Sequence, residues 1–509
     1  MSSRRSPPPA PAGGEERRAL MNTERSKRVS GPPAAAIALS AILVATAAGC
    51  ATRTGIARII ADSRNKSAEE WPGGAAAQGW TNDLSNLGLR DAINIALLHN
   101  RSLLAARQER EVARGRLRES YAAATPNITA RGGYTRLDDV SRIQMGQMDV
   151  ALGFEDNYSA DITLRQPLFH GAAIPAALKM GEIWSFMAEE TVRAAAQAAV
   201  FETASAYYDA RLAREMINVN EQAAAFAEAL LRDTRSRKES GVASDYDVLR
   251  AEVEVSNARA ELLKSRNAAS IALMRLAKSL GMRDTGSLSP ADELAFNPQP
   301  RPDPEDAVRT ALRNRPELRR AEMELKFQAE AFRAAASLWW PQLDAFFTEK
   351  WANPDPHAST SDTWGDAWTA GLALSLPLFD PSRDGRIIQE KARLEQAKTR
   401  LAEQEEAVAL DVRQALAGLQ NAEELVESQK LNLQRAEEGV RLALAGFANN
   451  TRTSVEVMDA QTALTRTRAL YYQALHAHST AVLNMKRALG ILDAEFGAAG
   501  REAKDHDAK

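Results

Sequence analysis

The sequence is poor in the residues that interrupt regular secondary structure, and it contains only one cysteine. Its 28 glycines and 21 prolines are sparse for 509 residues and occur in clusters, so long uninterrupted runs remain. These runs predict a few very long elements rather than many short ones. A single cysteine excludes an intrachain disulfide. After residue 60 no apolar run is long enough to cross a bilayer as a helix, so any membrane passage there must use β-strands.

Residues that carry out chemistry are scattered. The six histidines are dispersed along the chain, and His476 and His478 lie about 200° apart around a helix axis, so they cannot share a metal ion. The sequence contains no nucleophile motif, phosphate-binding loop or clustered metal ligands. It therefore predicts a protein that is not an enzyme, without catalytic residues, a bound cofactor or a metal site.

The N-terminus has the pattern of an export signal. Arg25, Lys27 and Arg28 precede the apolar run AAAIALSAILVATAAG, which ends immediately before Cys50. The small residues in front of Cys50 are similar to the lipobox of bacterial lipoproteins, and we therefore predict lipidation of Cys50. The alternative is ordinary signal cleavage at an A-x-A site beside an incidental cysteine. Translation from the first methionine or from Met21 would give the same mature chain.

The charge balance argues against nucleic acid as a partner. Removing residues 1–49, which carry seven basic and three acidic side chains, changes the net charge from −3 to −7. Nucleic-acid binding requires a basic surface that neutralises phosphates. We therefore expect no nucleic-acid partner for the exported chain.

Two copies of one pattern follow the signal segment, about 210 residues apart. A repeat of this length indicates duplicated halves rather than a short-period solenoid. Both halves end in Leu-Gly. The matching pieces are LRDAINIALLHNRSL (89–103) with PEDAVRTALRNRPEL (304–318), RQPLF (165–169) with SLPLF (375–379), and SDYDVLRAE (244–252) with TSVEVMDAQ (453–461).

Each half is predicted to contain a helix, a β-hairpin, a very long helix, a tight turn and a further helix. A helix of about 65 residues is about 100 Å long, since each residue adds about 1.5 Å. In the first half the elements lie at about 88–121, 127–136 with 157–169, 171–239 and 244–280; in the second they lie at about 304–339, 342–351 with 366–379, 383–446 and 453–489.

The chain divides accordingly into a series of predicted segments. They are a leader and signal peptide (1–49), an N-terminal lipidated segment (50–87), the first repeat (88–281, with hairpin 127–169 and long helices 171–280), a linker (282–303), the second repeat (304–490, with hairpin 342–379 and long helices 383–489) and a polar C-terminal tail (491–509).

The very long helix of the second half carries a coiled-coil stripe. Large apolar residues recur every seven positions, and alanines occupy most of the alternate positions, which allows a second helix to approach closely. A plain antiparallel coiled coil explains this stripe as well as any more specific interpretation. The seven-residue series is Val412, Leu419, Val426, Leu433, Val440 and Phe447.

The predicted strands alternate between an apolar face and a small or polar face. In 366–379 the apolar face holds Trp368 and several leucines, and 157–169 repeats the pattern. Strands of about 10 residues with an apolar outer face are typical of a transmembrane β-barrel. The alternative is a half-buried sheet that packs on the chain's own helices. Four strands cannot close a barrel, so several chains would have to share one.

Each hairpin leaves by a Pro-Leu-Phe corner. Pro167 and Pro377 have no N–H to offer to a strand ladder. Each proline is therefore predicted to end its strand before the following helix.

The duplicated halves, these corners and the stretch GFANNTRTSVEVMDAQTAL (446–464) together resemble the TolC-like outer membrane efflux family, over residues from about 85 to 490. The resemblance implies a mainly α fold with a small antiparallel β part. It implies a trimeric α-barrel of long antiparallel coiled-coil helices, continuous with a shared 12-stranded transmembrane β-barrel. It also implies an outer-membrane channel for efflux or type I secretion, with a periplasmic adaptor protein and an inner-membrane pump as partners.

The same resemblance implies a gate at the turn that precedes the last helix. Glu456 and Asp459 match the family's constricting acidic rings, Arg452 matches the gate latch, and Asp247 of the first half matches its partner. Phe447 stands where the family has a latch tyrosine, so one hydroxyl hydrogen bond is missing. From the residues alone, Arg452 and Glu456 would equally be an ordinary exposed i,i+4 pair.

A second class of function remains open on the sequence. The long helices and short strands also fit a periplasmic scaffold of antiparallel coiled coils with a small sheet, which would form no channel. Migration as a trimer and recovery in the outer-membrane fraction would distinguish the two predictions, because a soluble scaffold would show neither.

Overall fold

A computed structural model describes residues 58, 61–64, 66, 84–145, 148–282, 288–358, 361–449 and 451–492. Contacts divide the chain into two units, residues 1–76 and 77–509. The described residues of the first unit are helical. The predicted signal peptide, Cys50 and residues 493–509 lie outside the described residues.

The second unit is mainly helical with a small antiparallel β part, as the sequence predicts. Its described helices are α1 (Leu89–His99), α2 (Arg101–Tyr121), α3 (Ala173–Glu239), α4 (Asp245–Ser279), α5 (Pro304–Asn314), α6 (Pro316–Ala336), α7 (Pro381–Ala448) and α8 (Ser454–Ala488). Its described strands are β1 (Asn127–Arg136), β2 (Ser141–Met145), β3 (Met148–Leu152), β4 (Asp156–Phe169), β5 (Gln342–Asn353) and β6 (Gly365–Ser375).

The first predicted helix of each half is wrong in one respect, because it is two helices. In the first half the break falls at Asn100, whose side chain accepts hydrogen bonds from the N–H groups of Ser102 (3.0 Å) and Leu103 (3.2 Å) and so caps α2. In the second half the break falls at Arg315, which precedes Pro316 and has extended backbone angles. A different local device therefore interrupts the helix at the corresponding place in each half.

The Leu-Gly pairs that end the two halves pack against these same breaks. Gly281 and Gly490 both adopt positive φ angles, 76° and 70°, which favour glycine. A Cβ atom at Gly281 would lie 2.3 Å from the His99 carbonyl oxygen, and one at Gly490 would lie 2.9 Å from the Arg315 nitrogen. The sequence repeat is thus repeated in three dimensions down to single contacts.

The long helices pair within each half to form antiparallel coils. α3 packs on α4, and α7 packs on α8. On α7 most of the predicted stripe is buried, with Val412, Leu419 and Val426 fully inaccessible and Leu433 partly buried. The second coil therefore has an apolar seam along α7, as the heptad spacing predicts. Within the described ranges, none of the helices combines the length and apolar character that crossing a bilayer requires.

The main sheet has four antiparallel strands in the order β1-β4-β5-β6. β4 and β5 pair directly although they come from different halves of the chain, so the sheet joins the two repeats. β2 and β3 form a separate two-stranded sheet between the two strands of the first predicted hairpin. The sequence pattern predicts no strands between 136 and 157, so this pairing extends the hairpin beyond its predicted strands.

The apolar face of the main sheet is exposed. On β6, Trp368 is 68% exposed and Leu374 is 71% exposed, and Ile162 on β4 is exposed as well. In the part of the chain that the structure describes, no strand packs broadly against a helix. The alternative of a half-buried sheet on the chain's own helices is therefore wrong.

The opposite face of the sheet is polar and internally hydrogen-bonded. The hydroxyl oxygens of Thr163 and Thr348 lie 3.0 Å apart across β4 and β5. Asp344, almost completely buried, accepts a hydrogen bond from the Arg165 guanidinium (2.7 Å) and lies 3.0 Å from Nε2 of His170. The contacts of Asp344 with Arg165 and His170 hold the end of β4 in position just before α3 begins.

The two proline corners differ. Pro167 lies within β4, opposite Asp344, and the register becomes irregular only between Pro167 and Phe169. The prediction that Pro167 ends its strand is therefore wrong, because a bulge lets the strand continue past a residue without an N–H. Pro377 lies between the end of β6 and the start of α7, where the sequence predicts a corner.

Tyr207 ties α3 to the two segments that flank the first repeat. Its side chain is fully buried, and its hydroxyl oxygen lies 2.9 Å from both Leu87 O and Asp292 Oδ2. The same oxygen accepts hydrogen bonds from the N–H groups of Ala291 (3.1 Å) and Asp292 (2.9 Å). Burial raises the pKa of Tyr207 far above its ordinary value. One hydroxyl thus fastens the linker to the long helix.

Replacing Tyr207 with Phe removes this hydroxyl and takes from the Asp292 N–H its acceptor, whereas the Ala291 N–H keeps the Leu87 carbonyl oxygen at 2.9 Å. We expect a local loss of about 1–3 kcal/mol, measured as faster hydrogen exchange of the Asp292 amide. The Tyr121→Phe substitution removes an exposed hydroxyl that bonds no described residue, and it should leave exchange unchanged. Equal exchange in the Tyr207→Phe variant and the natural protein would contradict the assignment.

Candidate functional site

One short turn joins the two helices of each coil at its end. Residues 240–244 join α3 to α4, and residues 449–453 join α7 to α8, with Asn450 outside the described residues. The predicted gate residues all lie at or beside these turns. Both turns lead into a helix that starts with a capping box.

The first capping box holds Asp247 in place. The Asp247 carboxylate accepts hydrogen bonds through Oδ2 from the Ser244 N–H (2.9 Å) and the Ser244 hydroxyl (2.6 Å). The Ser244 side chain in turn accepts from the Asp247 N–H at 3.2 Å. The bonds from Ser244 lower the pKa of Asp247. The predicted latch partner is therefore an ionised residue in the first turn of α4, whose Oδ1 takes no part in the box.

The second capping box holds Glu456 in the same way. Its Oε2 accepts hydrogen bonds from the Thr453 N–H (2.7 Å) and the Thr453 hydroxyl (3.1 Å). These bonds lower the pKa of Glu456, and the charge of Arg452 lowers it further. The positive end of the α8 dipole also favours a carboxylate in the first turn. Glu456 is thus kept charged at neutral pH, with Oε1 outside the box.

Asp459 lies one turn farther along α8. It is exposed, and it forms no hydrogen bond or ion pair with a residue of the described ranges. Because Asp459 and Glu456 are three residues apart, both carboxylates lie on one side of the helix. The chain therefore presents two exposed acids together at the start of α8.

The Arg452 side chain lies over the last turn of α7. Its Cγ and Cδ atoms lie 2.8 and 2.9 Å from the place where a Cβ of Gly446 would be, so a larger residue there would displace the Arg452 side chain. Its N–H donates to the Gly446 carbonyl oxygen at 3.3 Å. Within the described chain its guanidinium pairs with neither Glu456 nor Asp247. The predicted bridge to a neighbouring helix pair thus stays a prediction.

Phe447 is 9% exposed and packs in a cluster with Leu230 of α3 and Val457 and Met458 of α8. The Arg237 guanidinium carbon lies 3.8 Å from the centroid of its ring. Arg237 also donates a hydrogen bond to the Phe447 carbonyl oxygen at 3.3 Å. The sequence alone does not single out Arg237, because several cationic residues lie near the end of α3 and only the packing places one of them against Phe447.

Further polar contacts join α3 to the second coil. His476 Nε2 lies 2.7 Å from Asp209 Oδ1, and Arg468 donates to Gln222 (2.6 Å) and Glu437 (3.0 Å). His478 is instead buried against Phe296. Among the described residues no group of three or more side chains could hold a metal ion. The described contacts at the turns are hydrogen bonds, a cation over an aromatic ring and apolar packing.

Comparison with known proteins identifies related chains along most of this length. A model of the family described as outer membrane efflux protein matches residues 92–282 and 307–491. The probable efflux pump outer membrane protein TtgC of Pseudomonas putida is 24% identical over 449 residues, covering 83% of this chain and 89% of TtgC. The outer membrane protein TolC of Escherichia coli is 23% identical over 413 residues, covering 78% of this chain and 81% of TolC.

A solved structure supports the fold directly. The outer-membrane channel OprN superposes with a TM-score of 0.69 at 21% sequence identity, covering 79% of this chain and 89% of OprN. The two matched stretches of the family model correspond to the two repeats, and they include both turns with their capping boxes.

Proposed function

Because the chain belongs to the outer membrane efflux protein family, we propose that it is the outer-membrane channel of a tripartite efflux or type I secretion system. Its place is the cell outer membrane, and its long coils extend into the periplasm. The observation that carries the proposal is the exposed apolar face of the β1-β4-β5-β6 sheet, which no described helix covers. An exposed apolar sheet face of this kind is stable in contact with lipid.

The edges of this sheet support a trimer. β1 and β6 are the two edge strands, and in a four-stranded antiparallel order they run in opposite directions. β6 of one copy can therefore pair antiparallel with β1 of the next, and so around a closed ring. Three copies give 12 strands and leave a lumen, whereas two copies give eight strands, which side chains would fill.

One of the helices also carries an exposed apolar stripe that a neighbouring copy could cover. On α4 the large side chains Tyr246, Leu249 and Val253 recur at spacings of three and four residues and are all exposed, Tyr246 by 68%. Such a stripe on one side of a helix is an unfilled packing surface. A neighbouring copy in a trimeric α-barrel would cover it.

The turn residues then form the gate. In a trimer, Glu456 and Asp459 supply six carboxylates around one axis, which makes an electronegative constriction that attracts cations. Arg452 bridges to Asp247 of the neighbouring helix pair and holds the tip closed. The capping boxes support both roles, because they use Oε2 of Glu456 and Oδ2 of Asp247 and leave the other oxygen of each carboxylate for these contacts.

The remaining partners follow from the family. A periplasmic adaptor protein opens the tip by realigning the helices, and an inner-membrane pump supplies the substrate. Cys50 carries acyl chains that anchor the N-terminus in outer-membrane lipid. Pro167 and Pro377 shape the passage from strand to helix.

The channel and the scaffold differ in location and assembly. We expect the protein to be recovered in the outer-membrane fraction. In detergent it should migrate as a trimer, which dissociates only when the sample is boiled. Both properties follow from a shared barrel whose strands have no free edge. A chain recovered in the soluble periplasmic fraction as a monomer would establish the scaffold instead.

Removing the ring charge without removing the helix cap isolates the gate's electrostatics. In the Glu456→Gln, Asp459→Asn variant, a glutamine can still complete the capping box. We expect the cation preference, measured as the reversal potential across a salt gradient in planar bilayers, to fall. The Asp245→Asn substitution removes another carboxylate beside a turn and should change the reversal potential little. An unchanged preference in the double variant would exclude the rings.

Shortening the latch should loosen the gate. The Arg452→Ser substitution removes the guanidinium that we place against Asp247, and we expect a higher single-channel conductance. The Arg441→Ser substitution is the matched control, because Arg441 forms an ion pair within α7, with Glu438 at 2.6 Å. Conductance equal to that of the natural protein, in a variant that still forms the trimer, would refute the latch.

A further inference from the structure

A second fastening lies beside the gate, between the two halves of one chain. Arg237 is in the last turn of α3, and Phe447 is in the last turn of α7. The Arg237 guanidinium is placed by three contacts: the Phe447 ring at 3.8 Å, the Phe447 carbonyl oxygen at 3.3 Å, and Asp233 Oδ2, which accepts from Nε at 3.0 Å.

The surroundings make this contact stronger than an ordinary surface pair. The Arg237 side chain is 24% exposed, so its guanidinium is partly removed from water, and a cation over an aromatic face gains strength when desolvated. The Phe447 ring is held in its cluster by Leu230 of α3 and by Val457 and Met458 of α8. The ring therefore cannot move away from Arg237 unless the end of α7 and the start of α8 move together.

We propose that Arg237 is a positioning residue of the gate, which fastens the tip of the α7–α8 coil to α3 within each chain. The proposal rests on the channel function put forward above. A phenyl ring has no hydroxyl to donate, and here it accepts a cation on its face instead. Because Phe447 lies nine residues before Glu456, releasing the ring frees the segment that carries both gate acids.

This fastening differs from the Arg452 latch in what it connects. The Arg237–Phe447 contact joins two coils of the same chain and is complete in one copy. The Arg452–Asp247 bridge joins neighbouring helix pairs. Opening the tip then requires both to separate, so weakening either one should favour the open state.

The experiment measures resting single-channel conductance in planar bilayers with the full-length trimer. We expect Arg237→Ala and Phe447→Leu each to raise the conductance severalfold. Leucine keeps an apolar side chain in the cluster but offers no aromatic face. The double variant should conduct no more than the larger of the two single variants, because each substitution removes the same contact. Arg237→Lys keeps the charge but loses the planar group and should give an intermediate value.

Arg235 provides the matched control. It lies two residues away on α3 and forms an ion pair at 2.7 Å with Glu252, which joins α3 to α4 within the first coil. Arg235→Ala should leave the conductance unchanged. A purely structural role of Arg237 would lower the temperature at which the trimer dissociates without changing resting conductance, so both quantities are measured on every variant.

Three results would overturn the proposal. They are a resting conductance of Arg237→Ala and Phe447→Leu equal to that of the natural protein, additive effects in the double variant, and an equal rise in Arg235→Ala. These outcomes are distinct from failure of the channel itself, in which the natural protein would show no conductance. If Arg237→Ala does not assemble, Arg237→Lys and Phe447→Leu decide the question, since both retain most of the side-chain volume.

Discussion

The constraint on which the rest of the structure depends is the unpaired edge of the four-stranded sheet. β1 and β6 each have an outer edge whose backbone N–H and C=O groups pair with no other described strand, and the sheet's apolar face is exposed beside them. In lipid, every backbone polar group must find a protein partner. A single chain cannot meet this condition, but a ring of copies can. In the trimer that we propose, the same ring would also bring together the exposed stripes on α4 and the turns of the three copies.

In the gate that we propose, two acids at the turns combine a structural role with an electrostatic one. Asp247 and Glu456 each complete a capping box with one carboxylate oxygen and leave the other outside the box. The cap orders the first turn of the helix, and the same hydrogen bonds lower the pKa and keep the group charged. A structural interpretation and a gating interpretation of these residues are therefore compatible. The local structure supplies the fixed geometry that a ring of charges requires.

Periodicity and turn chemistry predicted the long helices, the strands and the two turns to within a few residues. They failed where a local signal competes with a continuous pattern. The helical spacing continues through Asn100 and Arg315, so the breaks depend on one capping side chain and one proline. Arg237 could not be selected from the sequence, because the end of α3 contains Arg232, Arg235 and Lys238 as well. Only the register between two separate coils places one of these cations over Phe447.

The matched lengths of the helices bear on how many turns a trimer would present at its tip. α3 and α7 contain 67 and 68 residues, and α4 and α8 contain 35 residues each. Since one residue adds about 1.5 Å, the two turns of a chain lie at nearly the same level along the coils. Each turn also leads into the same kind of capped helix. A trimer would thus end in a ring of six similar turns, in which the turn of the first repeat alternates with the turn of the second. The tip would have approximate sixfold symmetry although the trimer has threefold symmetry.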